Sequence, residues 1–461
     1  MNIPGKSRKL VLNNRLSAGA ICLVAVVCIV NFLEMGLWKK PNRVIAWDVI
    51  SYYAYLPATF IYDDISLRFI EGDDYFSDKF WPQVTDEGEL VIKTTMGVSY
   101  FYIPWFIAGH ITARITGDVA DGYSEPYRFF LQLGGIITMI LALWILRKTL
   151  LDYFNDKVTA ATLIVITFAT NLYYYGTIES TYSHIYSFFL AIMFFRETRR
   201  FYTSPSPISP AMVGIIIGII ALIRPSNIII FLIFLLWNVK NIREAGERFR
   251  FLVNNYRTIL VIALFFLLPW IPQLMYWKHT TGEWLYYSYL DEKFFFGNPH
   301  IIKGLFSFRK GLFIYTPVVA LMWAGIYFMR DKLEPLRILL VLFTIINTFI
   351  IFSWWCWWYG GSFGQRPFVD TYGIYALPLA AFIDSLKALR KISRYMVSFI
   401  LMLLVFHGVF QAFQYYYGAI HWDSMTRASW VDSFGSVKPS ERFWSLLSTP
   451  DYEKAKATGK E

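Results

Sequence analysis

Long apolar runs separated by short polar segments dominate this chain. A transmembrane helix needs about 20 consecutive, mostly apolar residues. One long run, 208–240, is interrupted by the sequence RPSN and predicts two tightly connected spans. The other runs lie near 16–36, 127–147, 158–176, 182–198, 257–276, 312–329, 334–353, 368–386 and 394–413. The pattern therefore predicts an all-α polytopic membrane protein with about 11 transmembrane helices.

The segment 98–116 is apolar enough to cross a membrane, yet it carries Pro104, His110 and Arg114. If it spans, the basic loops that follow it fall outside the cell. If it lies in the membrane interface, all of them join the basic N-terminus in the cytoplasm, as the positive-inside rule expects. We therefore predict an interfacial helix. The loops concerned contain Arg147, Lys148, Lys157, Arg196, Arg199, Arg200, Lys240, Arg243, Arg248, Arg250, Arg330, Lys332, Lys387, Arg390 and Lys391.

This topology predicts one transmembrane domain over 1–413 and an extracytoplasmic tail over 414–461. The N-terminus is cytoplasmic, and the first loop, 37–126, lies outside and carries interfacial helices. Lys39, Lys40 and Arg43 follow the first span on the outer side and are a minor exception to the charge rule. We read the tail as a solvated end or a small interfacial element. Nearly all the unusual polar residues fall on the outer side, so any chemistry is expected there.

Composition supports a membrane protein over other classes. Of 461 residues, 56% are hydrophobic and 16% are charged, which no ordinary soluble domain shows. The formal charge of +10 is explained by cytoplasmic loops, so no nucleic-acid partner is expected. The apolar run at the N-terminus is too long for a signal-peptide core and predicts a retained span. Cys22, Cys28 and Cys356 have no metal or disulfide spacing.

Two candidate residues lie in the predicted first outer loop. Asp48, in AWDVISYYAYLP, follows the first span and precedes an aromatic stretch. An acid beside an apolar surface can act as a general base, although a single loop aspartate is more often merely solvated. Lys93, in LVIKTTMGVSYFYIPW, lies where the loop enters the interfacial segment. It is a candidate ligand for a lipid phosphate.

Four more candidates are ionisable residues near the outer ends of predicted spans. Arg128 in EPYRFF and Arg224 in IRPSN could bind phosphate, although interfacial arginines often only extend towards headgroups. Glu179 and His184 in GTIESTYSH follow a tyrosine cluster. Ionisable groups near the membrane are costly and therefore suggest function. A structural role for His184 is an equal alternative.

The sequence WWCWWYGGSFGQRPFVD (354–370) follows directly on an apolar run. The first two tryptophans fit an interfacial aromatic belt. The glycines indicate backbone that leaves the helix at membrane depth, which is tolerated only against protein or a wet cavity. The segment is therefore expected to line a cavity, with Tyr359 as part of its aromatic wall. Arg366 could bind an anion bidentately, and Asp370 could pair with it.

Several absences narrow the function. The sequence has no Asp-x-Asp of the nucleotide-sugar type, no P-loop and no dinucleotide-binding turn, so a nucleotide donor is not expected. No histidine pair has helical metal-ligand spacing, and no metal ligand is assigned. A divalent cation stays open as a cofactor, and no other cofactor is predicted.

Taken together, these features resemble the GT-C membrane glycosyltransferases, with the protein O-mannosyltransferases and the lipid A aminoarabinose transferase as the best-known relatives. The residues that carry the resemblance are WDVISYYAYLP, IKTTMGVSYFYIPW, TFATNLYYYGTIESTYSH, GIIIGIIALIRPSN and WWYGGSFGQRPFVD. YGGSFGQRPFVD also resembles a bacterial branch of that superfamily.

The resemblance implies an inverting transferase that takes a hexose or pentose from a polyprenyl-phosphate donor. Asp48 matches the family's catalytic acid, Lys93 a ligand of the lipid phosphate, and Glu179 the second acid. Asp48 is followed by valine where mannosyltransferases have a second acid, so sugar and acceptor do not carry over. The active site would face the outer side of the cell inner membrane, and the acceptor would be an extracytoplasmic glycan, lipid or protein. A polysaccharide ligase or polymerase, or a lipid or glycan transporter, is the alternative.

Overall fold

The computed structural model describes residues 14–72, 74–77 and 79–460. Over these residues the chain is helical almost throughout, with one two-stranded hairpin as its sheet, so the predicted all-α polytopic membrane fold is confirmed. The basic residues 1–13, which were predicted to lie in the cytoplasm, are outside the described residues.

The first part of the chain contains one long apolar helix followed by a loop of short elements. Strands β1 and β2 pair antiparallel, with Gln83 opposite Val91. The elements are α1 (Arg15–Met35), α2 (Asp48–Tyr53), α3 (Tyr55–Phe60), α4 (Asp74–Ser77), β1 (Gln83–Val84), β2 (Leu90–Val91) and α5 (Ser99–Thr116). The loop thus has the short helices that were expected of it.

The middle of the chain is a series of helices with short connections. They are α6 (Glu125–Leu151), α7 (Asp156–Phe168), α8 (Leu172–Thr177), α9 (Ser183–Thr203), α10 (Ser209–Ile223), α11 (Leu232–Leu235), α12 (Ile242–Asn254), α13 (Tyr256–Leu267) and α14 (Ile271–Thr281). The RPSN interruption forms a 3-10 segment, Pro225–Phe231, between α10 and α11. Pro225 lacks a backbone N–H and ends α10 there.

The last part continues the bundle and ends in a folded tail. Its helices are α15 (Ile301–Phe306), α16 (Leu312–Tyr315), α17 (Val318–Phe328), α18 (Arg337–Ser353), α19 (Tyr372–Ser385), α20 (Lys391–Tyr416), α21 (Arg427–Asp432), α22 (Glu441–Ser445) and α23 (Tyr452–Thr458). In α19, every residue from Tyr372 to Ala381 is buried, so this helix lies in the core of the bundle.

Five helices of the described chain are long and apolar enough to cross a membrane: Arg15–Lys39, Glu125–Leu151, Tyr256–Thr281, Asp331–Ser353 and Lys391–Tyr416. Ser209–Ile223, Pro225–Leu235 and Val318–Phe328 are shorter apolar helices. The count of eleven spans and the orientation of the termini stay predictions. Helix α5 is one continuous helix with Pro104 inside it. Its length of about 27 Å does not by itself separate a spanning from an interfacial position.

The C-terminal tail packs onto loops of the bundle, and its extracytoplasmic position stays a prediction. The Tyr452 hydroxyl accepts a hydrogen bond from Trp358 Nε1 at 3.3 Å and donates one to Asp423 at 2.7 Å. His300 Nε2 lies 2.6 Å from the Gly459 carbonyl oxygen. The end of the chain therefore belongs to the folded protein.

Candidate active site

The central feature of the site is an ion pair between the first loop and the glycine-rich segment. Arg366 Nη1 lies 2.7 Å from Asp48 Oδ2. The Asp48 side chain is 41% exposed, whereas that of Arg366 is 14% exposed. The carboxylate therefore lies at the accessible side of the pair, with the guanidinium behind it.

The pair sets the charge state of Asp48. Burial raises the pKa of its carboxyl, but the attraction of Arg366 and its hydrogen bond act in the opposite direction, with help from His184 and Lys93. The net pKa of Asp48 lies below the ordinary aspartate value. Asp48 is thus an ionised, partly accessible carboxylate at neutral pH.

The backbone just before Asp48 is strained. Trp47 has φ 56° and ψ −131°, a conformation that bulky L-residues rarely adopt. Such outliers persist only where the surrounding fold enforces them, and they cluster at functional sites. The Trp47 ring is exposed and lies 5.9 Å from that of Trp81, centroid to centroid. The turn fixes the direction in which α2 and its first residue, Asp48, begin.

Asp370 is the buried centre of a second cluster. Its carboxylate accepts a hydrogen bond from Asn227 Nδ2 at 2.7 Å and lies 2.7 Å from His184 Nδ1. Arg224 Nη1 is 3.7 Å from the same carboxylate and 3.3 Å from His184 Nδ1. Asp370 is 0% exposed, and Arg224 is 21% exposed. A buried charge needs such partners, and here they also hold the Arg224 guanidinium at the edge of the site.

Lys93 enters the site from the first loop. Its ammonium forms an ion pair with Glu292 and lies 5.2 Å from the centroid of the Tyr289 ring. Glu292 also accepts a hydrogen bond from Trp355 Nε1 at 3.1 Å. The acid therefore joins the lysine to the aromatic segment that begins the glycine-rich motif.

Close backbone packing keeps the Lys93 segment in position. A Cβ atom on Gly97 would lie 2.6 Å from the Ile223 backbone nitrogen, so only glycine allows this approach. The backbone N–H of Met96 also donates to Gln273 Oε1 at 2.8 Å. Because Ile223 ends α10 and Arg224 follows it, this contact brings the Lys93 loop and Arg224 to the same end of the bundle.

Glu179 lies near Asp48 and Arg366, whose charges act on it. The Tyr174 hydroxyl donates to its carboxylate at 3.1 Å. Burial raises the pKa of Glu179 to about 7, against the Tyr174 hydrogen bond and the attraction of Arg366 and Arg43. The Asp48 charge also raises this pKa. The two acids are therefore near neighbours with opposite pKa shifts.

The glycine-rich segment folds into a tight loop in front of Arg366. Tyr359, Gly360 and Gly364 all have positive φ, between 56° and 59°, which glycine adopts without strain. The Phe363 backbone N–H donates to the Tyr175 hydroxyl at 2.8 Å, and the buried Lys310 ammonium donates to the Ser362 carbonyl oxygen. The loop is thus held from both sides, and Arg366 starts a 3-10 turn that leads into α19.

Aromatic rings surround these charges. The Arg366 guanidinium carbon lies 5.6 Å from the Tyr182 ring centroid, and that of Arg224 lies 6.0 Å from Tyr359. The Tyr359 hydroxyl is occupied, because it donates to the Ile351 carbonyl oxygen at 2.8 Å. Tyr359 therefore presents its ring rather than its hydroxyl to the site.

All but one of the predicted site residues converge here. The exception is Arg128, whose Nε donates to the Trp38 carbonyl oxygen at 2.7 Å and whose Nη1 donates to that of Tyr123. Arg128 therefore ties the start of α6 to the end of the first span. The residues that converge are Asp48, Lys93, Glu179, His184, Arg224, Tyr359, Arg366 and Asp370.

Sequence reasoning missed several residues of the site. Tyr52, one helical turn after Asp48, donates to Ser183 Oγ at 3.3 Å, and the charges of Asp48, Arg366 and Arg224 all act on its hydroxyl. The spacing from Asp48 could have indicated it. Asn227 follows Arg224 in the RPSN motif. Tyr182, Tyr289 and Lys310 had no signal of their own.

Among the residues that the structure describes, no three His, Cys, Asp or Glu side chains come together as a metal site would require. Asp48 already pairs with a guanidinium. A divalent cation as cofactor stays a prediction.

The arrangement can bind an anion beside a carboxylate. Each guanidinium has five N–H donors, and the pairs with Asp48 and Asp370 occupy only part of them. Arg366 contacts the Asp48 carboxylate, the charge of Lys93 also acts on it, and Arg224 lies near Arg366 and Tyr52. The site thus combines a potential proton acceptor with charges that could stabilise a departing anion.

No family model and no curated protein matches the chain. Among solved structures, the chain is similar to the crystal structure of the Archaeoglobus fulgidus oligosaccharyltransferase in the apo form, with 13% identity, a TM-score of 0.46, and coverage of 94% of this chain and 59% of the other. It is also similar to the archaeal oligosaccharyltransferase AglB from Archaeoglobus fulgidus in complex with an inhibitory peptide and a dolichol-phosphate, with 12% identity, a TM-score of 0.45, and coverage of 94% and 58%. The chain therefore spans less than two thirds of both.

Proposed function

We propose that this protein is a GT-C-type inverting glycosyltransferase that moves a sugar from a polyprenyl-phosphate donor to an extracytoplasmic acceptor. The observation that carries the proposal is the pair between Asp48 and Arg366, at 2.7 Å, with Arg224 and Lys93 beside it. A carboxylate beside cations fits the transfer of a sugar from a phosphate, because it supplies a base together with charges that stabilise the leaving group.

The cations serve the leaving group. A polyprenyl phosphate departs as a stable anion, so no general acid is needed, and its developing charge has to be stabilised. Arg366 and Arg224 can each offer two parallel N–H donors to a phosphate, and Lys93 adds a point charge. Asp370 keeps Arg224 charged and oriented from the buried side.

Asp48 serves as the general base. It would accept the proton of the acceptor hydroxyl as the oxygen attacks the anomeric carbon from the face opposite the phosphate, which inverts the configuration. In the free protein, Arg366 lowers the pKa of this carboxylate. A donor phosphate that takes over Arg366 would weaken the pair, and the pKa of Asp48 would rise towards the ordinary aspartate value. Donor binding would thus make Asp48 a stronger base.

Glu179 is better suited to a supporting role. Its pKa of about 7 leaves it partly protonated at neutral pH, and its carboxylate is already bound by the Tyr174 hydroxyl. It can accept a hydrogen bond from a sugar hydroxyl or adjust the field at Asp48. The rings of Tyr52, Tyr182, Tyr289 and Tyr359 would form the walls against which a sugar ring packs.

The finer assignments belong to the same proposal. The donor sugar is a hexose or pentose, and the acceptor is a glycan, lipid or protein outside the cytoplasm. The protein would lie in the cell inner membrane with its N-terminus inside and its site and tail outside. A polysaccharide ligase or polymerase would use the same cations, whereas a transporter would move the whole lipid-linked glycan without breaking the glycosidic bond.

The test uses purified full-length protein in nanodiscs. Radiolabelled polyprenyl-phosphate hexoses and pentoses are added together with a cell-envelope extract as acceptor. We expect the label to leave the lipid fraction and appear in the acceptor with inverted anomeric configuration. If instead the donor stays intact but crosses the bilayer of proteoliposomes in a protein-dependent way, the protein is a transporter and the proposal is wrong.

A further inference from the structure

A cavity of about 530 Å³ lies on the tail side of the glycine-rich segment. This volume is within the range of small-molecule sites, about 300–1,000 Å³. The cavity lies between α15, the loop after α15, the aromatic segment and the start of α21. Its lining residues are Lys303, Ser307, Phe308, Arg309, Trp357, Met425, Thr426 and Arg427.

The cavity is positively charged. Lys303, Arg309 and Arg427 line it, and no carboxylate of the described residues is in its lining. Trp357 adds an indole Nε1 that is buried and has no hydrogen-bond partner within the described part of the chain. Because this N–H has almost no accessible surface, a ligand in the cavity would contact the lysine and the two arginines instead. The ring of Phe308 supplies a partly exposed apolar wall.

We propose that this cavity binds an anionic saccharide, a sugar that carries a phosphate or carboxylate group, as part of the acceptor. Two arginines and a lysine match the charge and planar geometry of such a group. The Phe308 ring can pack against the apolar face of the sugar. The assignment of this saccharide as part of the acceptor rests on the proposed function, whereas its binding to the cavity can be tested without turnover.

The cavity and the candidate active site share one segment of chain. Trp357 lines the cavity, and its carbonyl oxygen accepts a hydrogen bond from Gln365 Nε2 at 3.2 Å. Gln365 directly precedes Arg366. On the other side, Arg309 lines the cavity, and the next residue, Lys310, holds the Ser362 carbonyl. A ligand in the cavity would therefore lie against the loop that presents Arg366 to Asp48.

The tail completes the cavity. Arg309 Nη1 donates to the carbonyl oxygen atoms of Asp423 at 2.6 Å and Ser448 at 2.9 Å. The Thr426 hydroxyl caps α21 and donates to the Leu446 carbonyl oxygen at 2.7 Å. These contacts place Arg427 at the rim. Because Arg309 also holds the tail, it is not a suitable residue for mutation, whereas Lys303 and Arg427 are exposed.

The test is equilibrium binding to the full-length protein in phosphatidylcholine nanodiscs. The probes are glucose 6-phosphate and glucuronate, with glucose as the neutral comparison. We expect saturable binding of the two anionic probes that weakens with added salt. A double variant, Lys303→Ala with Arg427→Ala, should bind them with an affinity lower by at least about tenfold, since it loses two charge-assisted contacts.

Matched variants separate recognition from damage to the fold. Lys454→Ala removes an exposed tail lysine that does not line the cavity and should bind the probes as the wild type does. Arg427→Lys keeps the charge and should recover part of the affinity. Asp48→Asn should bind glucose 6-phosphate normally even if it transfers no sugar, so failure of the proposed catalysis would leave the cavity assignment standing.

Two results would overturn the inference. One is that the anionic probes bind no better than glucose, or bind the correctly folded double variant as tightly as the wild type. The other is that phosphatidylglycerol, when it replaces part of the phosphatidylcholine in the nanodisc, displaces glucose 6-phosphate from the wild type but not from the double variant. The cavity would then be a phospholipid headgroup site and not an acceptor site.

Discussion

The buried carboxylate of Asp370 offers a strict test of how the candidate site is held together. Its oxygen atoms lie 3.7 Å from Arg224 Nη1, 2.7 Å from His184 Nδ1 and 2.7 Å from Asn227 Nδ2. Asp370→Asn keeps the shape of the side chain and removes its charge. Arg224 then loses its ion pair, and the hydrogen bonds of His184 and Asn227 no longer end on an ionised group.

The expected cost follows from these contacts. Breaking one partner of a buried ion pair costs about 3–5 kcal/mol because the other charge stays buried without a partner. The Arg224 side chain is 21% exposed, and water can solvate part of its charge, so we expect the low end of that range, about 3 kcal/mol. Removing both charges, with Asp370→Asn and Arg224→Gln together, should cost less than Asp370→Asn alone.

A thiol-reactive fluorescent dye can follow thermal unfolding in detergent. Cys28 and Cys356 are buried, whereas Cys22 is exposed, so the measurement is made in a Cys22→Ser background. The control is Asp384→Asn, which removes an ion pair with Lys387, whose side chain is 71% exposed. That change should cost less than about 1 kcal/mol. If Asp370→Asn unfolds at the same temperature as this control, the buried cluster does not stabilise the site.

Three further predictions concern pH, the glycine-rich loop and Arg128. The pKa of Asp48 is lowered, whereas that of Glu179 is about 7. If Asp48 is the base, kcat/KM should therefore stay constant as the pH is lowered from 8 to about 5. A fall in kcat/KM near pH 7 that disappears in Glu179→Gln would instead make Glu179 the base. Lys310→Met removes the donor to the Ser362 carbonyl and should lower kcat/KM by about 10- to 100-fold through misplacement of Arg366; an effect no larger than that of the exposed Lys387→Met would contradict this. Arg128→Gln removes the charged hydrogen-bond donor to the Trp38 and Tyr123 carbonyls, and the free energy of unfolding should fall by about 2 kcal/mol. The KM of the folded variant for the sugar donor should stay unchanged. A raised KM would show that Arg128 belongs to the phosphate site.

The fold class could be predicted from hydropathy because lipid forces the backbone into helices. The exact spans could not be predicted, since length and hydropathy identify only the most apolar helices as membrane-spanning. Helices α9 and α19 coincide with the predicted runs 182–198 and 368–386, but they are buried inside the bundle and carry charged or proline residues, so neither is among the helices that length and hydropathy identify as spanning. Helix α5 has the length of a span and the composition of an interfacial helix.

The candidate site was largely predictable because ionisable residues are rare in this chain and costly near a membrane. Asp48, Glu179, Arg224 and Arg366 stand out for that reason. Arg128 looked the same in sequence, yet its guanidinium is used by two backbone carbonyls that no local pattern indicates. Tyr52, Tyr182 and Tyr289 were missed because a buried tyrosine is common in such a chain.

The fold of the tail could not be predicted from its composition. Its residues are polar and basic, which is typical of a solvated end. The contacts that hold it are specific pairs with distant loops, such as Lys456 with Asp291 at 2.9 Å and Tyr452 with Asp423 at 2.7 Å. Pairs of this kind depend on tertiary structure and leave no periodic signal.

The most direct test of the account compares wild type with Asp48→Asn in nanodiscs that contain a radiolabelled polyprenyl-phosphate sugar and the acceptor extract. We measure donor binding and the release of polyprenyl phosphate in a single turnover. The account predicts that the variant binds the donor and transfers sugar at least about 100-fold more slowly, because a positioned base contributes that much or more. Equal rates of transfer by both proteins would contradict it.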